Sequence, residues 1–205
     1  MLLITRRTAA LALCLAANLC LAQAVAPPAS SVRLRGTVQS VAPGLLTVKE
    51  RSGEVIELVM PDKVTVSEVY PIALSDIKPG SFIGTAAMPQ ADGTERAIAV
   101  TVFPESARGA GEGHRPFDLV PQSTMTNATV ADVVAAPTGR TLQLKYKDGE
   151  RAIVVPADAP IVTFRPGDRS LLVPGASVSL TAQVMDGKPT ISRISAGRNG
   201  FALPY

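Results

Sequence analysis

The chain contains one histidine, His114, in the segment "GAGEGHRPFD" with Glu112, Arg115 and Asp118 close by. An imidazole with one or two carboxylates is the start of a divalent-cation site, and Glu112, His114 and Asp118 are the residues that would form it. The set is thin, because good sites gather more ligands. His114 and Asp118 could instead orient a serine for nucleophilic attack, but no G-x-S-x-G elbow supplies one. Gly109, Gly111 and Gly113 hint at a phosphate cradle, yet no lysine follows and no helix start is announced. Glu54 and Glu57 stand three apart on an alternating strand and face opposite sides, so they cannot flank one substrate. No catalytic residue and no cofactor follows from these patterns, and the expectation is a non-enzymatic binding or interaction protein. A metal-handling or transport accessory using the His114 segment is the alternative.

Positive charge offers a second lead. Lys145, Lys147 and Arg151 form a basic stripe, and together with Arg115 they are the candidates for contact with a ligand or partner. Single-stranded nucleic acid is held by aromatic stacking beside such stripes. Here there are five Phe, three Tyr and no Trp, and on that ribbon only Tyr146, which alternates with leucines that point inward. No nucleic-acid partner is expected, and the stripe reads as a solvated edge.

The elements that must position these residues begin after a leader. Arg6 and Arg7 precede an uncharged apolar run from Thr8 to Ala22, and Ala22-Gln23-Ala24 offers a small-x-small cleavage site. This is the pattern of a secretory signal peptide covering residues 1–24. The run is too short for a hydrocarbon core of roughly 30 Å, so no permanent membrane span is expected after cleavage. Cys14 and Cys20 leave with the leader, and the net charge falls from +3 to +1. The mature chain is expected to be periplasmic or secreted, without disulfides, and to meet another envelope protein or envelope component. Nothing in the sequence sets an oligomeric state.

The mature chain repeats itself. "LSDIKPGSFIGTA" at 74–86 returns as "RSLLVPGASVSLTA" at 169–182, and "GTVQSV" at 36–41 returns as "ATVADV" at 128–133. Lys49, Gly53, Glu54 and Pro61 find counterparts in Lys145, Gly149, Glu150 and Pro156. Leu142, Leu144 and Tyr146 alternate with Gln143, Lys145 and Lys147, and Val178, Leu180, Ala182 and Val184 alternate with polar residues. Period-two alternation marks strands with one buried face. Ser52-Gly53, Asp92-Gly93, Asp148-Gly149 and Asp186-Gly187 are hairpin turns. Each repeat then reads strand, hairpin, crossing, hairpin, with room in the crossing for one short helical turn. That is the order of a five-stranded OB-like barrel.

The expected fold is therefore all-β: two tandem five-stranded OB-like barrels at 32–103 and 128–197. A Gly/Pro-rich linker at 104–127 would join them, and a tail at 198–205 would follow. In Gly36-Thr37-Val38, in Leu74, Asp76, Ile77, Lys78 and Gly80, and in Asp92-Gly93 the chain resembles a bacterial domain-of-unknown-function family found as repeats in exported proteins. Ser81 departs from that family's acidic residue, and the second copy keeps Gly175 but carries Leu171, Leu172 and Val173 at the charged positions. The resemblance implies OB-like repeats and no reaction.

Overall fold

Alternation of buried and exposed side chains sets out the strands. The computed structural model describes residues 31–136 and 139–205, so the leader lies outside the described residues. It contains β1 (Ser31–Ala42), β2 (Leu45–Glu50), β3 (Val55–Val59), β4 (Thr65–Pro71), β5 (Phe82–Pro89), β6 (Glu95–Val102) and β7 (Gly113–Pro116). They are followed by β8 (Thr124–Ala136), β9 (Gly139–Tyr146), β10 (Gly149–Pro156), β11 (Ile161–Pro166), β12 (Ser177–Met185) and β13 (Lys188–Gly197). Leu142 and Leu144 of β9 and Val178, Leu180 and Ala182 of β12 are buried, as their spacing requires. Three single 3-10 turns complete the described structure, which is all-β. No helix among the described residues is long and apolar enough to cross a membrane.

The thirteen strands share one sheet that closes on itself twice. In the first ring β1 pairs β2, β2 pairs β3, β3 meets β13 in parallel, β13 pairs β12, and β12 returns to β1. In the second ring β8, β9 and β10 are joined to β6 and β5, with β10 parallel to β6 and β5 antiparallel to β8. Each ring thus takes its first three strands from one repeat and its last two from the other. Each has its own apolar core: Val38, Leu46, Leu58, Leu180 and Ile194 fill the first, and Ile83, Val130, Leu142, Leu144 and Ile153 the second.

This grouping differs from the consecutive units expected at 32–103 and 128–197. The reason lies in the crossing segments. Only their ends are helical turns, at Leu74–Asp76 and Arg169–Leu171. The preceding stretches, β4 and β11, are extended and β-branched, so they carry the chain onward instead of folding it back. At roughly 3.3 Å per residue, the six or seven residues of each strand cover about 20–23 Å. β4 and β11 pair antiparallel with Val69 opposite Phe164, β4 lies parallel to β13, and β11 lies parallel to β6. Because Val69 and Phe164 hold equivalent places in the two repeats, an approximate dyad passes through that pair.

The repeated Pro-Gly phrase completes the exchange. Gly80 and Gly175 have φ of 87° and 88°, the third position of a turn that needs positive φ. Each turn is closed by a backbone hydrogen bond, Ser81 to Lys78 at 3.0 Å and Ala176 to Val173 at 2.9 Å. Each glycine then donates across the repeats, Gly80 to the Val130 carbonyl at 2.8 Å and Gly175 to the Val38 carbonyl at 2.9 Å. Val130 and Val38 sit where β8 and β1 shift register against their hairpin partners, so each turn binds where the strand departs from regular pairing.

Candidate functional site

The residues singled out around His114 are placed by β7, which occupies part of the stretch expected to be a linker. β7 runs antiparallel to β8, with His114 opposite Thr126. This separates the three candidate metal ligands. Glu112 accepts a hydrogen bond from the Lys147 backbone amide at 3.1 Å. Asp118 takes both arms of the Arg35 guanidinium, at 3.0 and 2.7 Å, and this pairing holds its carboxyl below the usual range. His114 turns inward, with Nδ1 2.9 Å from the Thr126 hydroxyl and Nε2 3.7 Å from Glu95 Oε1. Among the described residues no three His, Cys, Asp or Glu side chains gather as a metal would require.

Glu95 was not among the residues picked out from the sequence, yet it is buried at the start of β6 and accepts from the Thr124 hydroxyl at 3.0 Å. Thr126, His114 and Glu95 are ordered like a nucleophile, a base and its orienting acid. Thr126 is wholly buried, so no substrate reaches its oxygen. The cluster instead fastens β7 onto the second ring. Arg151, its Nε 4.0 Å from Glu95, stands at the exposed edge of this group. Lys145 and Lys147 are also exposed on the outer side of the ring.

The chemically richer feature is a cleft between the two rings, with a cavity of about 200 Å³. Its apolar surface comes from Phe103, Phe117, Phe164 and Tyr205, half of the chain's eight aromatic residues. Phe82, Phe103 and Phe164 meet in series as tilted pairs, at 47° and 41°, with ring centroids 5.5 and 6.0 Å apart. Phe103 can lie this close because Gly84 faces it: a Cβ there would come within 2.9 Å of the ring. Phe117 is held by a tight loop in which the Ser123 hydroxyl bridges the Phe117 and Val120 carbonyls, at 3.0 and 2.7 Å. Its ring lies beneath Arg35 and Arg33, 5.2 and 5.8 Å from their guanidinium carbons, a cation–π arrangement.

Polar groups from both rings face the same space. Ser179, Thr181, Arg193 and Ser195 come from β12 and β13, while Thr101 and Asn127 come from β6 and β8. Asn127 is buried and donates Nδ2 to the Ala110 carbonyl at 2.8 Å, leaving Oδ1 without a partner. Arg33 and Arg115 stand at the rim. Partial desolvation of its guanidinium against the cleft wall, in a residue that is exposed as a whole, then the nearby Arg35 and more weakly Arg115, lower the pKa of Arg33. Burial pushes the Tyr205 phenol up. Of the residues marked in the sequence, only Arg115 lines this cavity.

A second polar cluster is structural. Glu68 of β4 is buried and receives Arg165 of β11 at 2.6 Å and Arg198 at 2.9 Å. The two guanidinium hydrogen bonds, Arg198 first, hold its carboxyl at about 2. This triad locks the ribbon where the repeats cross. Next to it the last residues pack back, Leu203 lying with Val69 and Val162.

Compared with protein-family models, with curated proteins and with solved structures, the chain finds no match.

Proposed function

We propose that the mature chain is an exported, non-enzymatic binding protein whose two OB-like barrels hold a small ligand in the cleft between them. The OB-like reading is supported by the strand order of each ring: 1-2-3-5-4, with strand three parallel to five and strand one antiparallel to four. The export reading rests on the leader pattern, and the resemblance of both repeats to an exported family accords with it. The observation that carries the binding reading is the composition of the cleft. Aromatic faces, guanidinium groups, hydroxyls and an amide converge there, and its described lining holds neither a carboxylate side chain nor an imidazole. Such a mixture orients and retains a molecule but offers no side chain that takes up a proton as a base at neutral pH.

The chain has no tryptophan, so a single indole reports on its own surroundings. Phe117→Trp keeps an aromatic face and places one on the cleft wall, and Lys147→Trp places one on the outer face. Small-molecule fractions from the periplasm should alter the emission of the first protein and leave the second unchanged. Equal responses from both, or none from either, would remove the cleft as the binding site. Export is checked separately by the intact mass of the exported protein, expected to start at Val25. A membrane-retained product still carrying residues 1–24 would contradict it.

A further inference from the structure

We infer that the cleft selects a small organic acid: a carboxylate or phosphate head on a single ring-sized body. The inference rests on the binding reading above and adds to it the class of ligand.

Charge is the first argument. Asp118, the acidic side chain that acts on Arg33, has both of its oxygens occupied by Arg35. Among the described residues Arg33, Arg115 and Arg193 have no carboxylate within 4.0 Å. They nevertheless border a single cavity. Arg115 donates to the Gly111 carbonyl at 2.8 Å, and three guanidinium groups without an ion-pair partner among the described residues concentrate positive charge around one opening. Crowding works against this arrangement, since Arg33 stands beside two further guanidinium groups. An oxyanion would relieve it, and a guanidinium fork fits carboxylate and phosphate oxygens two at a time.

Shape and size are the second argument. A cavity of about 150 Å³ accepts a benzene ring, so the space of about 200 Å³ here fits one ring with its substituents. Phe103, Phe164 and Tyr205 line the space that the body of the ligand would fill, and either an aromatic ring or the C–H face of a sugar ring packs against aromatic side chains. Ser179 and Ser195 on the opposite wall supply hydrogen bonds that a bare hydrocarbon would leave unused.

Calorimetric titration of the mature wild-type protein with matched probes tests the inference. The acids are benzoate, phenyl phosphate and glucuronate; the neutral counterparts are benzamide and glucose; inorganic phosphate is the head alone. At least one ring acid should bind tenfold or more tighter than its neutral counterpart and than inorganic phosphate. Its affinity should fall as salt is raised, because rim charges are screened. Whether benzoate or glucuronate is preferred tells an aromatic body from a sugar. Arg33→Gln and Arg193→Gln, both at exposed positions, should each bring the acid-to-neutral ratio towards one, while Lys145→Gln should leave it unchanged. Neutral probes binding as tightly as the acids would overturn the anion inference and leave the binding reading intact. So would the absence of acid binding in a protein whose Phe117→Trp reporter responds to periplasmic fractions. Tight acid binding untouched by both arginine variants would place the anion elsewhere and equally refute it.

Discussion

Dividing the chain between its repeats removes strands from both rings at once. A fragment of residues 31–103 keeps β1 to β3 of the first ring but loses β12 and β13. With them go Val178, Leu180, Ile191 and Ile194, each at most 2% exposed in the intact protein. Burying a side chain of this size is worth roughly 1.5–3 kcal/mol, so these four carry about 6–12 kcal/mol. A whole domain has only about 5–15 kcal/mol of net stability. The fragment also strands β5 and β6 without the three strands that complete their ring. Residues 113–205 suffer the converse loss. Neither half should melt cooperatively as a monomer, whereas equimolar mixing should restore a 1:1 complex with one transition. Circular dichroism melts with light scattering on the separated and mixed halves measure this. Dimers of one half with itself fit the reasoning, since the repeats can exchange strands with a second copy. A monomeric, cooperatively melting 31–103 would refute it, because strands four and five would then have closed on their own repeat. In the intact protein, proteolytic nicking at the exposed residues Gly109–Glu112 should give two fragments that still elute together.

Three further outcomes follow from single sites. Gly80→Ala meets nothing within 4 Å of its new Cβ, so it should lose only the roughly 1–2 kcal/mol of left-handed backbone strain. For a chain of this size that lowers Tm by about 2–8 °C, and an unchanged melt would disprove the turn geometry. Gly36→Ala should be worse, because its Cβ would lie 2.2 Å from the Lys49 carbonyl oxygen; a milder effect than Gly80→Ala would show that β1 and β2 are not packed as described. Glu68 has its carboxyl at about 2 against an ordinary 4.5. The folded value is the lower one, so its contribution is complete above about 4.5 and disappears as pH falls towards 2. Glu68→Gln should therefore melt lower at neutral pH and lose less between pH 5 and pH 2 than wild type, and parallel pH profiles would contradict this assignment.

Local order was readable wherever a residue's own neighbours decide its conformation. Leu142 and Leu144 announce a strand by spacing, and Gly80 and Gly175 announce a turn by following proline. The exchange of strands was not readable in that way. β5 and β12 both follow a Pro-Gly turn and both continue in small and β-branched residues, so either could close either ring. What decides between them is the extended course of Thr65–Pro71 and Ile161–Pro166. One trace of this was present: "KVTVSEVY" and "PIVTFR" are rich in Val, Thr and aromatic residues, which suits strands better than a loop. The cleft was hidden for a related reason. Phe103 follows β6, Phe117 follows β7, Phe164 lies in a crossing and Tyr205 in the tail, all outside the hairpin ribbon on which a ligand surface was sought. His114, the most conspicuous residue by type, serves packing.

The same exchange accounts for the position of the cleft. If each repeat closed its own barrel, the crossings would lie against separate domains and the space between them would have no fixed walls. Because β4 and β11 pair with each other and each also pairs with a strand of one ring, the two outer faces are held at a set distance with Phe164 between them. The dyad would produce equivalent surfaces, but the repeats have diverged at its centre, where Val69 stands in place of a phenylalanine. Leu203 packs on Val69, and the segments that follow the fifth strands supply different residues, Phe103 and Phe117 from one repeat and Tyr205 from the other. Symmetry thus builds the rigid frame, and its local loss at Val69, Phe117 and Tyr205 gives the cleft one aromatic floor and one arginine-lined rim. On this argument Phe164→Val, which makes the dyad pair symmetric, should spare the two ring cores and so keep most of the stability. It should also remove the central face of the floor and weaken ring-acid binding about tenfold in the calorimetric titration. Unchanged affinity in Phe164→Val would mean that the ligand's body rests on some other surface.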